Sequence, residues 1–138
     1  MQFKECYQNP FIEERADPYI TLGPDGFYYF TASYPMKSAD DKDGYDRVIL
    51  RRAKDISELA SAEEITIWKV ADTTLTHRFI WAPELHYIAG LWYVFYAGSE
   101  DKENNWAFDC HVLVCDSNDP YTGTVSYTHL TLPTILLV

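Results

Sequence analysis

Two carboxylates stand beside prolines at the starts of two similar segments, Asp17 before Pro18 and Glu84 after Pro83. A carboxylate fixed on the backbone can take or give a proton or accept a hydroxyl hydrogen bond. Arg15 lies just before Asp17, Trp81 just before Glu84, and of the histidines His77 precedes the second segment and His86 lies within it. Arg15 either orients Asp17 or faces solvent. His86 alternates with Leu85 and Tyr87 and reads as a packed or hydrogen-bonded side chain, whereas His77 precedes Arg78 in a loop at the border of a cleft. The 4 Trp and 11 Tyr supply flat, amphipathic faces suited to sugars and other polyols, although an aromatic β-core explains the same composition.

The elements that must position these groups come from a repeat. The first copy runs Arg15-Ala16-Asp17-Pro18-Tyr19-Ile20-Thr21-Leu22, turns at Gly23-Pro24-Asp25-Gly26 and continues Phe27-Tyr28-Tyr29-Phe30-Thr31-Ala32-Ser33. The second runs Trp81-Ala82-Pro83-Glu84-Leu85-His86-Tyr87-Ile88, turns at Ala89-Gly90 and continues through Leu91-Trp92-Tyr93-Val94-Phe95-Tyr96-Ala97. Each is a short strand, a Gly turn and an aromatic strand, and a spacing of about 65 residues marks a stacked or radial architecture. With acids at the two strand starts, it suggests a site assembled from several repeats.

Residues 46–53 read as a third strand, Asp55-Ile56-Ser57-Glu58 as the capped start of a short helical turn, and 64–70 as a fourth strand. Four consecutive antiparallel strands make one propeller blade. The first blade therefore spans about 14–70 and the second about 79–123, with strands at 84–88, 91–97 and 110–116. The fourth strand of the second blade does not arrive in credible form. The tail, 124–138, carries no Asp, Glu, Lys or Arg, and 125–134 matches a translated sequencing-library adapter codon by codon. The native sequence is therefore expected to end near Gly123, with 124–138 a non-native tail.

At 138 residues, 47% apolar and 16% aromatic, the chain has the composition of one modest globular domain rather than of a disordered segment. A net charge of −10 argues against nucleic acid, which needs a basic stripe. The dense basic run Arg47, Arg51, Arg52 and Lys54 reads as the solvated face and end of a strand. Three cysteines, Cys6, Cys110 and Cys115, give neither a disulfide framework nor zinc-ligand spacing. Asp41, Asp43 and Asp46 superficially suggest a calcium loop, but Arg52 stands where a bidentate Glu is needed. No metal is assigned. No apolar run reaches the length of a membrane span. No secretory leader is visible before Pro10, so a cytoplasmic location is expected, with secretion the alternative if the N-terminus is incomplete.

Arg15-Ala16-Asp17-Pro18-Tyr19-Ile20 with Gly26-Phe27-Tyr28-Tyr29-Phe30 resembles the first blade of glycoside hydrolase family 43. Ile80-Trp81-Ala82-Pro83-Glu84-Leu85-His86-Tyr87-Ile88 with Gly90, Trp92 and Tyr93 resembles the second blade of its α-L-arabinofuranosidase-type members. Tyr45-Asp46-Arg47-Val48-Ile49-Leu50-Arg51-Arg52-Ala53 and Asp119-Pro120-Tyr121-Thr122-Gly123 continue the likeness, which covers nearly all of 7–123. The resemblance implies an all-β fold, a five-bladed propeller of which about two blades are present, with the active site on the axis. It implies inverting hydrolysis of arabinose- or xylose-containing plant polysaccharides or oligosaccharides. That reaction needs a base that activates water and an acid that protonates the leaving oxygen, roughly 6.5–9.5 Å apart.

By this resemblance Asp17 is the general base, and Trp81, Glu84, Arg15 and His77 border the substrate. The acid, and a third carboxylate that raises its pKa, belong to later blades. No organic cofactor is implied, and neither nucleic acid nor membrane is a partner. The fragment itself is expected to be inactive. The alternatives are a β-xylosidase of the same family, another five-bladed glycosidase family, or a non-catalytic carbohydrate-binding propeller.

Overall fold

A computed structural model describes residues 7–37, 44–70, 78–99, 106–123 and 125–128. The first hairpin forms because Gly26 adopts φ +74°, while the Asp25 carboxylate accepts from the Phe27 amide at 3.1 Å. It joins β1 (Ala16–Leu22) to β2 (Tyr28–Ser33). β3 (Arg47–Ala53) and β4 (Ile65–Lys69) complete an antiparallel sheet in the order β1-β2-β3-β4. The expected helical turn is one turn of 3-10 helix at Ile56–Glu58, capped by Asp55, whose carboxylate accepts from Ser57 N at 2.8 Å.

The second sheet repeats the pattern with β5 (Arg78–Ile88), β6 (Leu91–Ser99), β7 (Phe108–Cys115) and β8 (Val125–Thr128), again in sequential order. The fold is thus all-β, two four-stranded sheets packed as successive blades of a partial propeller. β8 fills the place where the sequence promised no credible strand. It pairs with β7 through main-chain groups, which an open strand edge offers to any segment able to extend.

The two blades share one core. Tyr29, Val48, Leu50 and Trp68 from the first pack with Ile80, Leu85, Trp92, Val94, Tyr96 and Leu113 from the second. Gly23 permits the close approach: a Cβ there would stand 2.8 Å from the Tyr29 ring and 3.0 Å from the Trp92 ring. The opposite face of the first blade carries a second cluster, Phe30, Ala32, Ile49, Ala53 and Leu59, against which Phe11 and Ile12 of the N-terminal segment lie. β5 packs on β1 and β2, so the first strands of the two blades run side by side.

Both first strands are bulged in the same way. Ala16 pairs with Ser33 and Tyr19 with Thr31, so β1 spends one more residue than β2 across this interval. Trp81 pairs with Ala97 and Glu84 with Phe95, the same offset in the second blade. The residue after each outer pair takes a left-handed conformation, Asp17 at φ +50° and Ala82 at φ +46°. Bulges of this kind re-aim side chains and occur beside active sites.

Candidate active site

The bulge in β1 sets Asp17 out of the sheet pattern with its side chain exposed. One carboxylate oxygen, Oδ2, accepts a hydrogen bond from Ser33 Oγ at 2.9 Å. Ser33 is completely buried, and its hydroxyl oxygen in turn accepts from the backbone N–H of Ala82 at 2.8 Å. A chain of two hydrogen bonds therefore runs from the bulge of the second blade to the carboxylate on the bulge of the first. It links Asp17 to Ala82, the residue next to Trp81 in sequence.

The register corrects the reading that the two acids stand at equivalent strand starts. The acids Asp17 and Glu84 do not occupy equivalent positions: Asp17 corresponds to Ala82, and Glu84 corresponds to Tyr19. These two counterparts meet through His86. His86 Nε2 lies 2.9 Å from Glu84 Oε2, and His86 Nδ1 lies 3.5 Å from Tyr19 Oη. The tautomer with its proton on Nε2 satisfies both contacts, donating to the carboxylate and accepting from the phenol. Glu84 remains about half exposed, at 52%.

Trp81 sits in an aromatic cluster. Phe108 stacks on it at 4.5 Å between centroids, while Tyr45, Phe79 and Trp106 meet it edge-on at 5.7–5.9 Å. One face of the indole is thus covered, and its buried Nε1–H has no acceptor among the described residues. Trp106 is 77% exposed and carries the cluster to the surface.

Arg15 neither orients Asp17 nor faces solvent. Its guanidinium pairs with Glu64, through Nε to Oε2 at 3.0 Å and through Nη2 to Oε1, and lies over the Tyr34 ring at 4.4 Å. The side chain ties the start of β1 to the entry of β4. His77 lies outside the described residues.

The three arginines of the basic run are likewise not a solvated face, and Lys54 alone of the four is exposed. Arg51 shares Glu64 at 3.1 Å, and Arg47 chelates Asp46 while lying over the other side of Tyr34. Arg52 reaches across the blades and donates to both oxygens of Asp119 at 3.0 Å, between the rings of Phe27 and Tyr121. Tyr121 adds a hydrogen bond to the Glu63 carbonyl at 2.9 Å. The Asp119-Pro120-Tyr121-Thr122-Gly123 turn of the second blade is thereby clasped to the first. An acidic chain can spare few cations for solvent.

Electrostatics follow the pairing. Burial, the largest single influence, pushes the Glu64 carboxyl up, but Arg15 and Arg51 together outweigh it and hold the group below its ordinary range. At Asp119 burial is again the largest influence and acts upward. The Tyr121 amide, Thr122 hydroxyl and Arg52 guanidinium overcome it, and the net shift is down. Among the described residues no three His, Cys, Asp or Glu side chains converge to hold a metal ion.

Sequence reasoning missed Ser33, Tyr19 and the ring cluster around Trp81. Ser33 is an ordinary residue in an aromatic strand, and only the β1–β2 register reveals it. The aromatic density of the second blade was visible without its convergence on Trp81.

Comparison with known proteins supplies the remaining context. The sequence profile of the family described as Glycosyl hydrolases family 43 matches residues 7–132. An extracellular exo-α-(1→5)-L-arabinofuranosidase of Streptomyces avermitilis is 42% identical over 118 residues, covering 86% of this chain and 23% of that protein. An α-L-arabinofuranosidase of Humicola insolens is 46% identical over 118 residues, with 86% of this chain and 22% of that protein covered. The crystal structure of an α-L-arabinofuranosidase from Lactobacillus brevis superimposes with a TM-score of 0.73 at 36% identity, over 92% of this chain and 39% of that one. The chain spans about a quarter of the length of the two curated relatives.

Proposed function

This chain belongs to glycosyl hydrolases family 43, and from that premise we propose that it forms the opening two blades of an inverting, exo-acting α-L-arabinofuranosidase. Its substrates are arabinose-containing plant polysaccharides or oligosaccharides. The observation that carries the reading is Asp17, an exposed carboxylate set on a left-handed bulge of the first strand and held, among the described residues, through one oxygen.

In this reading Asp17 removes a proton from the attacking water. The carboxylic acid that protonates the leaving oxygen comes from the rest of the longer protein. A further carboxylate there keeps that acid protonated by like-charge proximity. Trp81 walls the pocket from the second blade, and Glu84, steered by His86, accepts a sugar hydroxyl. Arg15 acts behind the site by fixing the start of the strand that bears Asp17. The Streptomyces avermitilis relative is named extracellular and acts on α-(1→5) linkages by its name. The proposal therefore places the enzyme outside the cell, in place of the cytoplasmic expectation, and makes that linkage the first to test.

The test is to recover the full-length gene and assay its product on nitrophenyl α-L-arabinofuranoside and β-D-xyloside beside the Asp17→Asn variant. Arabinofuranoside turnover, reduced by about 10²–10⁴-fold in Asp17→Asn with an unchanged denaturation midpoint, is expected for loss of a general base. Turnover retained by Asp17→Asn, or carbohydrate binding with no turnover at all, refutes the reading.

A further inference from the structure

The second bulge offers an internal control for the first. Both have the same offset, the same left-handed residue and the same following proline. In the second blade Ala82 replaces Asp17, and the residue across the ladder is Ala97 where the first blade has Ser33. The carboxylate and the hydroxyl are therefore absent together, and the bulge forms without either. Ser33 is not needed to build this backbone.

We propose that Ser33 is a positioning residue for Asp17, aimed by the Ala82 amide of the neighbouring blade. This deepens the assignment of Asp17 as base and rests on it. The directions of the hydrogen bonds carry the argument. Ser33 Oγ accepts from Ala82 N at 2.8 Å, which leaves its single proton to be donated to Asp17 Oδ2 at 2.9 Å. A completely buried hydroxyl cannot exchange this partner for solvent. Oδ2 is thereby fixed, and Oδ1, which has no partner among the described residues, is the oxygen left to meet water. Because the aiming amide belongs to β5, the orientation of the base depends on correct docking of the second blade.

The experiment compares Ser33→Ala and Ser33→Cys with the parent in the full-length enzyme, with Asp17→Asn in parallel. For Ser33→Ala we expect kcat to fall about 10-fold with KM changed less than about 2-fold, since an oriented base acts in the transition state and not in substrate binding. Ser33→Cys keeps a weaker donor of similar size, is expected to fall between the two, and serves if the Ala variant does not fold. An unchanged kcat with only a lowered denaturation midpoint would show a purely structural tie between blades and overturn the proposal. Activity persisting in Asp17→Asn would remove the base assignment itself, and the proposal with it, whatever the Ser33 variants do.

Discussion

Replacing Arg52 by Met removes the charge that joins the two blades while keeping a side chain of similar length and apolar stem. The guanidinium lies 4.9 Å from the Phe27 centroid and 4.6 Å from that of Tyr121, and donates twice to Asp119. Each cation–ring contact contributes about 0.5–1 kcal/mol at a partly exposed site. The ion pair must be discounted, because the Asp119 side chain is 38% exposed and water screens it; about 0.5–1 kcal/mol remains. The sum is about 2 kcal/mol. With a urea dependence near 2 kcal/mol per molar, the unfolding midpoint should fall by about 1 M. Asp119 keeps donors from the Tyr121 amide and the Thr122 hydroxyl, so it is not left as a bare buried charge. A double-mutant cycle of Arg52→Met with Asp119→Asn isolates the ion-pair share, expected near 1 kcal/mol. Arg52→Lys should recover little, since a compact, strongly hydrated ammonium lacks the planar face that lies against the two rings. A midpoint shift under about 0.2 M for Arg52→Met, or full recovery in Arg52→Lys, would refute the view that this residue clasps the blades.

Three further outcomes follow from the structure. Glu64 and Asp119 are both held below their ordinary values of 4.5 and 3.8, so the stability they contribute is complete above those values and is lost as pH falls through the lower folded ones. The urea midpoint should therefore be flat from neutrality to about pH 5 and decline below it, and Glu64→Gln should flatten the decline. Gly23→Ala forces a Cβ against the Tyr29 and Trp92 rings and should cost about 1–3 kcal/mol in denaturant unfolding, as overpacking does. The 138-residue chain on its own should show no arabinofuranosidase turnover in the nitrophenyl assay, because the proposed acid is not within it; measurable turnover would contradict this.

The hairpins were legible because Gly turns and period-two aromatic patterns are local signals. Gly26 with Pro24 and Asp25, and Gly90 with Ala89, place both first turns correctly. β5 was read as starting at Glu84, yet it starts at Arg78. Phe79 and Ala82 take positive φ and break the alternation, so the strand's first half carries no period-two pattern to read. The arginines were misread for a different reason. For Arg15, Arg51 and Arg52 the partners, Glu64 and Asp119, are remote in sequence or lie in another blade, and charge composition says nothing of such pairs. Asp17 stood out through its place before Pro18, and aligning Pro18 with Pro83 already sets Ala82, not Glu84, opposite it. Ser33 had no local signal at all, since its meaning lies in the ladder and in an amide 49 residues away.

The clasp between blades also sets an order of events during synthesis. Arg52 precedes its partner Asp119 by 67 residues, and the Glu63 carbonyl precedes the Tyr121 hydroxyl by 58. At about 5–20 residues per second, the guanidinium emerges roughly 3–13 s before its carboxylate exists. During that interval the nascent first sheet presents Tyr29, Val48, Leu50 and Trp68 on a face that the second sheet has yet to cover. Passage through the ribosome thus includes an exposed, sticky stage of several seconds. It ends when the turn at Asp119 arrives and closes the joint, and a ribosome pause within the second blade would lengthen it.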